Sequence, residues 1–271
     1  MRAWRITVAA EDEDLATAAL WEAGTTGIEV RGGPAGRLDL LAYFTDEAPP
    51  LTPTLLPPGA AVEPAEVPAV DWVERFREGF RAFRVGRFVV APPWDMPSGP
   101  SPDVLVVDPG RAFGTGTHET TRLCLGALED LAARRPLGRT LDLGSGTALL
   151  AIAAGRLGAS AVFASDIDPE ATASSSHHAR INRARLGVVR ADGGRGLRAG
   201  SFDLVLANLM AILLVDRSAE IRSLLAPGGA LVLSGLLVDD LPFVCEAFAA
   251  CGRPTERLDG EWGALVYEGV R

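Results

Sequence analysis

The chain has 271 residues, 48% hydrophobic and 23% charged, with a formal net charge of −9, ordinary values for a globular protein with room for one or two cores. No apolar run reaches the roughly 18 residues of a membrane span, the N-terminus lacks the apolar core of a signal peptide, and Cys124, Cys245 and Cys251 have neither disulfide-framework nor zinc-site spacing. A cytoplasmic protein without metal is expected, with its cysteines in the core and an acidic balance that argues against direct nucleic-acid binding.

Trp4–Ala9 alternates like a strand. Asp12–Ala23 places Leu15, Ala18, Ala19 and Trp21 at helical spacing, with acids in the first turn and Gly24 at its end. Ile28–Arg31 and Leu38–Phe44 are predicted strands around a Gly32-Gly33-Pro34 turn. This β-α-β-β order opens a small ferredoxin-like unit. A Pro-rich connector follows from Ala48 to Pro68, with one more strand near Ala61–Glu63. Residues 1–70 hold 11 acids and 4 arginines, a net of −7, against −2 for the rest. An acidic region of this kind attracts basic partners.

Val70–Phe83 brings Trp72, Phe76, Phe80 and Phe83 onto one helical face and is predicted as a connecting helix. Phe88–Ala91 reads as a strand stopped by Pro92-Pro93. From Gly138 strands and helices alternate. The strands are Thr140–Leu143, Ala161–Ser165, Val188–Ala191, Phe202–Ala207 and Ala230–Ser234. The helices are Ala148–Leu157, Pro169–Asn182, Ala211–Leu225 and Asp239–Cys251. Thr255–Leu258 and Trp262–Glu268 flank Asp259-Gly260, a hairpin signal. The expected fold is α/β: a doubly wound, Rossmann-like sheet with an antiparallel C-terminal edge strand, behind a small α+β domain. The predicted division is a domain at 1–68, a linker helix at 69–86 and a second domain at 87–271.

Asp142-Leu-Gly144-Ser-Gly146-Thr-Ala148 sits where a strand passes into a helix, and its glycines allow a ligand close to the backbone. A dinucleotide fingerprint needs a third glycine at 149, which is Leu149. Asp142, two residues before the first glycine, suits a ligand with a cationic amino group. Asp166 ends the next strand, where an acid accepts hydrogen bonds from both ribose hydroxyls. Adenosine with a cationic tail is S-adenosylmethionine. Asp168-Pro169 reads as a helix cap. Asn208 ends the fourth strand, placed for the methionine part of the cofactor or for the incoming nucleophile, or as a cap for the next helix. Asp192 reads as an adenine contact or as part of a plain Gly193-Gly194 turn. His118-Glu119 is not a zinc motif, since position 122 is Arg122. His177 and His178 read as surface histidines.

With these residues in place, Asp108-Pro-Gly-x-Ala-Phe-Gly-Thr-Gly-x-His-x-Thr-Thr121, the Asp142 loop, Asp166-Ile-Asp-Pro169 and Ala207-Asn-Leu209 together resemble the ribosomal protein L-eleven methyltransferase (PrmA) family. The resemblance covers nearly the whole chain. It implies a class I methyltransferase with a small substrate-capturing domain, and methylation of lysine side chains and the N-terminal amine of a basic ribosomal protein. It places S-adenosylmethionine against Thr121, Gly144, Asp166 and Asn208; Phe113, Gly114, Asp142 and Gly146, in the two glycine-rich loops, are further candidate contacts. Three departures stand out. Ala148 replaces a glycine at a position read as helical, His178 and Arg183 alter the Asn-Ala-x-x-Asn-Gly turn that Asn182 retains, and the N-terminal domain is the least similar part. All 26 basic residues are arginine, which a bias towards Ala, Gly, Pro and Arg explains and which also suits an enzyme that modifies lysines.

Methyl transfer to an amine needs the neutral base, and a lysine near pKa 10.4 must be desolvated to supply it. Positioning then does most of the work. Asn208 and the backbone carbonyl of Leu209 are the candidate groups to orient the amine. Rival readings are a lysine methyltransferase with another target, such as an electron-transfer flavoprotein subunit, and a non-catalytic cofactor-binding module that docks on the ribosome.

Overall fold

The computed structural model describes residues 2–33, 36–46, 56–66, 80–99, 101–108 and 118–270. The chain divides into two compact units, residues 1–71 and 72–271. The first holds strands β1 (Arg2–Ala9), β2 (Gly27–Gly32), β3 (Arg37–Phe44) and β4 (Ala61–Ala65), with helix α1 (Glu13–Glu22). Its sheet order is β2-β3-β1-β4, each neighbour antiparallel. β3 therefore lies between β1 and β2, the strands that α1 joins, which is the ferredoxin-like order. Alternation along β1 sends Ile6 and Val8 into a core with Leu20, Leu40 and Phe44.

The predicted connecting helix largely falls on residues 67–79, outside the described part. Its end is corrected: Phe83–Val85 is a strand, β5, paired antiparallel with β6 (Phe88–Ala91), which runs parallel to β7 (Val104–Val106). Phe80 and Phe83 do meet, edge to face at 6.0 Å. The Phe-x-x-Phe spacing is therefore satisfied by a loop and strand as well as by a helix. The competing signal is Phe-Arg-Val before Gly86, which turns the chain back at φ 55°.

The second unit is built on β8 (Arg139–Leu143), β9 (Ala161–Asp166), β10 (Gly187–Arg190), β11 (Phe202–Asn208), β12 (Leu225–Leu237), β13 (Thr255–Asp259) and β14 (Trp262–Val270), in the order β10-β9-β8-β11-β12-β14-β13. β8 to β12 are parallel. β14 is antiparallel to both its neighbours. The antiparallel strand thus lies one place in from the edge, and β13 forms the edge. Helices α2 (Glu119–Arg134), α3 (Leu149–Arg156), α4 (Pro169–Ile181), α5 (Ala211–Asp216), α6 (Ser218–Leu224) and α7 (Leu241–Ala247) complete the unit. One core cluster packs Leu125, Leu128 and Leu150 against Leu206 and Val232; the other packs Leu214, Ile221 and Val244 against Val205 and Leu231. Burial on both faces explains the continuous apolar runs Leu204–Ala207 in β11 and Ala230–Leu233 in β12.

Helix α2 is not among the elements predicted from sequence, although Cys124, Leu128 and Leu131 mark its inner face. The helix predicted over Ala211–Leu225 breaks at Arg217 (φ −107°, ψ 12°). The helix predicted over Asp239–Cys251 is a short α-helix between two 3-10 turns. Cys124 and Cys251 are buried and Cys245 is half-buried. Among the described residues no helix is long and apolar enough to cross a membrane.

Candidate active site

Strand order reverses between β8 and β11, so the connections leaving their carboxyl ends go to opposite faces and open a crevice. Gly144 leaves β8 at φ 71°, and a Cβ there would stand 2.4 Å from Leu209 Cδ2. The Gly144 and Ser145 amides donate to the Ser165 carbonyl at 2.8 and 3.0 Å, stitching the loop to the end of β9. The Gly146 amide donates to Asp166 Oδ2 at 3.0 Å, and the Ser175 hydroxyl donates to the Gly146 carbonyl at 2.9 Å. Asp166 Oδ1 accepts the Asp168 amide at 3.0 Å. Asp168 caps α4, accepting the Glu170 amide at 2.8 Å with Pro169 in the first turn.

The crevice is a cavity of about 530 Å³ lined by Gly144, Gly146, Asp166, Ile167, Asp192, Asn208, Leu209, Leu213 and Arg217, among others. That is the size of a small-molecule site. A smaller chamber of about 20 Å³ adjoins it through Gly144, Gly146 and Asn208, and adds Thr121, Asp142 and Thr147. Two buried oxygens in this chamber have no hydrogen-bond partner among the described residues: Thr121 Oγ1 and Asn208 Oδ1. Ser165 Oγ, on the floor of the larger cavity, is a third. Buried oxygens of this kind ordinarily have partners. Together with the tight glycine cradle, they fit a polar ligand at the strand ends.

Asp142 is wholly enclosed. Its Oδ2 accepts the Ala151 amide from the first turn of α3 at 3.0 Å. Burial pushes its carboxyl up to about 7, against the pull of that amide, with the charge of Asp166 adding to the rise. Asp142 thereby does the capping that Ala148 cannot. Ala148 is not helical: it stands at the N-cap in the left-handed region, φ 58° and ψ 27°.

Phe113 and Gly114 lie outside the described residues. The end of their segment is described. His118 caps α2, its Nδ1 accepting the Thr120 amide at 3.3 Å, and its ring stacks edge-on against Trp262 at 4.5 Å. Glu119 pairs with Arg122, which also binds Asp259 on the C-terminal hairpin. Asn208 does not cap the following helix. Met210 occupies that N-cap position, and no side chain caps the helix there. The Leu209 amide donates to the Ser234 carbonyl at 3.0 Å, and its own carbonyl rests against Gly235, where a Cβ would come within 2.4 Å of it.

His178 is buried, contrary to the surface reading. Its Nε2 accepts the Asp108 amide at 3.1 Å, and its neighbour His177 stands 3.2 Å from the Asp108 carboxylate. Burial lowers the His178 pKa. Asn182 accepts the Val106 amide and donates to the Val106 carbonyl, both at 2.7 Å, and donates to the His178 carbonyl at 2.9 Å. Asp192 opens the Gly193-Gly194 turn, its carbonyl accepting the Arg195 amide at 3.3 Å, and its carboxylate pairs with Arg195 and Arg217. Sequence reading missed Ser165, Ser175 and Arg217. A lone hydroxyl or arginine inside a periodic element carries no local mark of facing a cavity, as Ser165 and Arg217 do, or of bracing its loop, as Ser175 does.

Residues 39–268 match the family described as Ribosomal protein L11 methyltransferase (PrmA). A Geobacter sulfurreducens ribosomal protein L11 methyltransferase is 44% identical over 201 residues, 73% of this chain and 66% of that protein's length. A Deinococcus radiodurans protein of the same name is 36% identical over 261 residues, 91% of each chain. The solved ribosomal protein L11 methylase of Lactobacillus delbrueckii superposes with a TM-score of 0.63 at 28% identity, covering 71% of this chain and all of that one.

Proposed function

The chain belongs to the ribosomal protein L11 methyltransferase family, and on that premise we propose that it transfers methyl groups from S-adenosylmethionine to lysine side chains and the N-terminal amine of the basic ribosomal protein L11. S-adenosylmethionine supplies an activated methyl group on a positively charged sulfur. The chain's own residues bind and aim. The observation that carries the reading is the small chamber, where Asp142 and the unpartnered oxygens of Thr121 and Asn208 offer three acceptors to a cationic ammonium group. Asp166 then lies one strand over for the ribose hydroxyls, with Gly144 and Gly146 giving the close approach.

The incoming amine meets an apolar rim. Ile167 lines the crevice and is more than half exposed, as are Met210 and Ile212, the chain neighbours of the lining residues Leu209 and Leu213. Such a rim strips water from a lysine and favours its neutral form. Asn208 and Leu209 orient that amine, and the proton leaves to solvent without a dedicated base. His118 and Glu119 are occupied in capping and pairing. The acidic first seventy residues capture the basic substrate, and this capture weakens as salt screens it.

The test is incubation with radiolabelled S-adenosylmethionine and purified ribosomal proteins. Label on L11 is the expected result. Label on a different basic protein redirects the substrate, and no label on any protein while the cofactor binds favours a docking module.

A further inference from the structure

The helix after β11 breaks at a residue of the cavity wall. Arg217 sits at the break, lines the cavity, and reaches Asp192 Oδ1 at 2.5 Å. Its other nitrogen faces Glu220 at 3.6 Å, three residues on. Glu220 in turn accepts the Gly194 amide. Arg195 holds the second Asp192 oxygen at 2.8 Å. The two glycines after Asp192 are shaped to this clamp. At Gly193, φ is 64° and a Cβ would fall 2.4 Å from Glu220 Oε1 and 2.5 Å from Arg217 Nη1; at Gly194 it would press on Leu224 and Glu220. The Asp192 turn is thus wrapped by Arg217 and Glu220, and its carboxylate is fixed on the cavity wall.

Sheet order says what that wall meets. Taken across the strand ends, the glycine loop follows β8, Asp166 ends β9, and Asp192 follows β10. A ligand with its ammonium in the β8 chamber and its ribose at Asp166 carries its base to Asp192. An ionised carboxylate has about four acceptor sites, so two arginines leave room for one more donor. Resting on the cofactor reading above, we propose that Arg217 is a positioning residue for base recognition: it holds Asp192 so that the carboxylate accepts the exocyclic amine of adenine and rejects a keto group at the same place.

The test compares binding of S-adenosylhomocysteine and S-inosylhomocysteine by calorimetry. They differ in an amine or a keto oxygen on the purine. The unaltered chain is expected to favour the adenosyl compound by about 10-fold or more, the scale of a hydrogen bond to a charged group. Arg217→Met should bring that preference below about 3-fold, by weakening the adenosyl compound alone. In an Asp192→Asn background the same change should have no further effect on the preference. An intact preference in Arg217→Met, an equal loss for both compounds, or an additive effect with Asp192→Asn overturns the assignment. If Arg217→Met does not fold, Arg217→Lys is read by the same ratio, because a point charge cannot keep the fork geometry. Failure of the unaltered chain to bind S-adenosylhomocysteine refutes the cofactor reading itself, and the assignment with it.

Discussion

Replacing Asp142 with asparagine should stabilise the fold and damage the site. Asp142 is fully buried and its carboxyl is pushed up to about 7, against about 3.9 in an unfolded chain. The sign follows from the raised value. Below pH 4 the acid is neutral in both states and costs nothing. Between pH 4 and 7 the unfolded chain loses its proton first, so stability falls as pH rises. Above 7 the folded state carries the full penalty: three units at about 1.4 kcal/mol each, or roughly 4 kcal/mol. The asparagine side chain would still accept the Ala151 amide, and the charge lost from that bond is already contained in the raised value. The gain at pH 8 is therefore roughly 4 kcal/mol, worth about 8–16 °C in a unit of this size. At pH 4 the gain should vanish. Melting curves at the two pH values measure it, and cofactor titration on the same samples should show a loss of about 10-fold or more. In the unaltered chain, cofactor binding should weaken by up to about tenfold per unit below pH 7, because the cation binds the ionised acid. A melting gain equal at pH 4 and 8, or full cofactor affinity in the variant, would refute the assignment of Asp142 as the buried counter-charge.

Three further outcomes are expected. Asp166→Ala should weaken cofactor binding about 10-fold or more in calorimetry and leave the circular dichroism spectrum native; unchanged affinity would remove the ribose assignment. Asn182→Ala should lower stability by roughly 3 kcal/mol in denaturant titration, since it orphans both polar groups of Val106; a loss under about 1 kcal/mol would contradict the bonding described. Ala148→Gly should change stability by less than about 1 kcal/mol, because relief of a left-handed alanine at about 1–2 kcal/mol is offset by a lost buried methyl at about 0.8 kcal/mol. Ala148→Val at the same place should cost at least about 2 kcal/mol, and equal melting points for the two variants would argue against the left-handed backbone.

The central strands of the large sheet, β8, β11 and β12, are legible in the sequence because they are largely buried and bounded by glycine or proline turns. The residues at their carboxyl ends, Gly144, Asp166 and Asn208, can be named because a parallel sheet gathers ligands there. Other features depend on contacts that no local pattern records. Whether β13 or β14 takes the edge is not marked locally, because a hairpin signal is the same for either order. The break falls at Arg217, whose side chain binds Asp192, 25 residues away, in a sequence whose own period is helical. His178 reads as a surface residue because it follows three serines, yet it faces a backbone amide 70 positions earlier.

The departures from the family pattern divide by what each position must supply. At 178 the requirement is an acceptor for the Asp108 amide, and an imidazole nitrogen meets it as an amide oxygen would. Asn182 meets a stricter demand, two complementary bonds to one residue's backbone, and there the family residue is retained. At 183 the requirement is a left-handed backbone, φ 51°, which arginine adopts on the surface at a cost a glycine would avoid. Position 148 has the same backbone requirement in a place where its methyl is fully buried. Substitution is therefore tolerated where a side chain can reproduce the bond, and strain is carried where the backbone must turn. Both strained residues flank the ends of helices that frame the cavity, so the site's geometry rests on neighbours such as Asp142 and Asn182 that hold those turns in place.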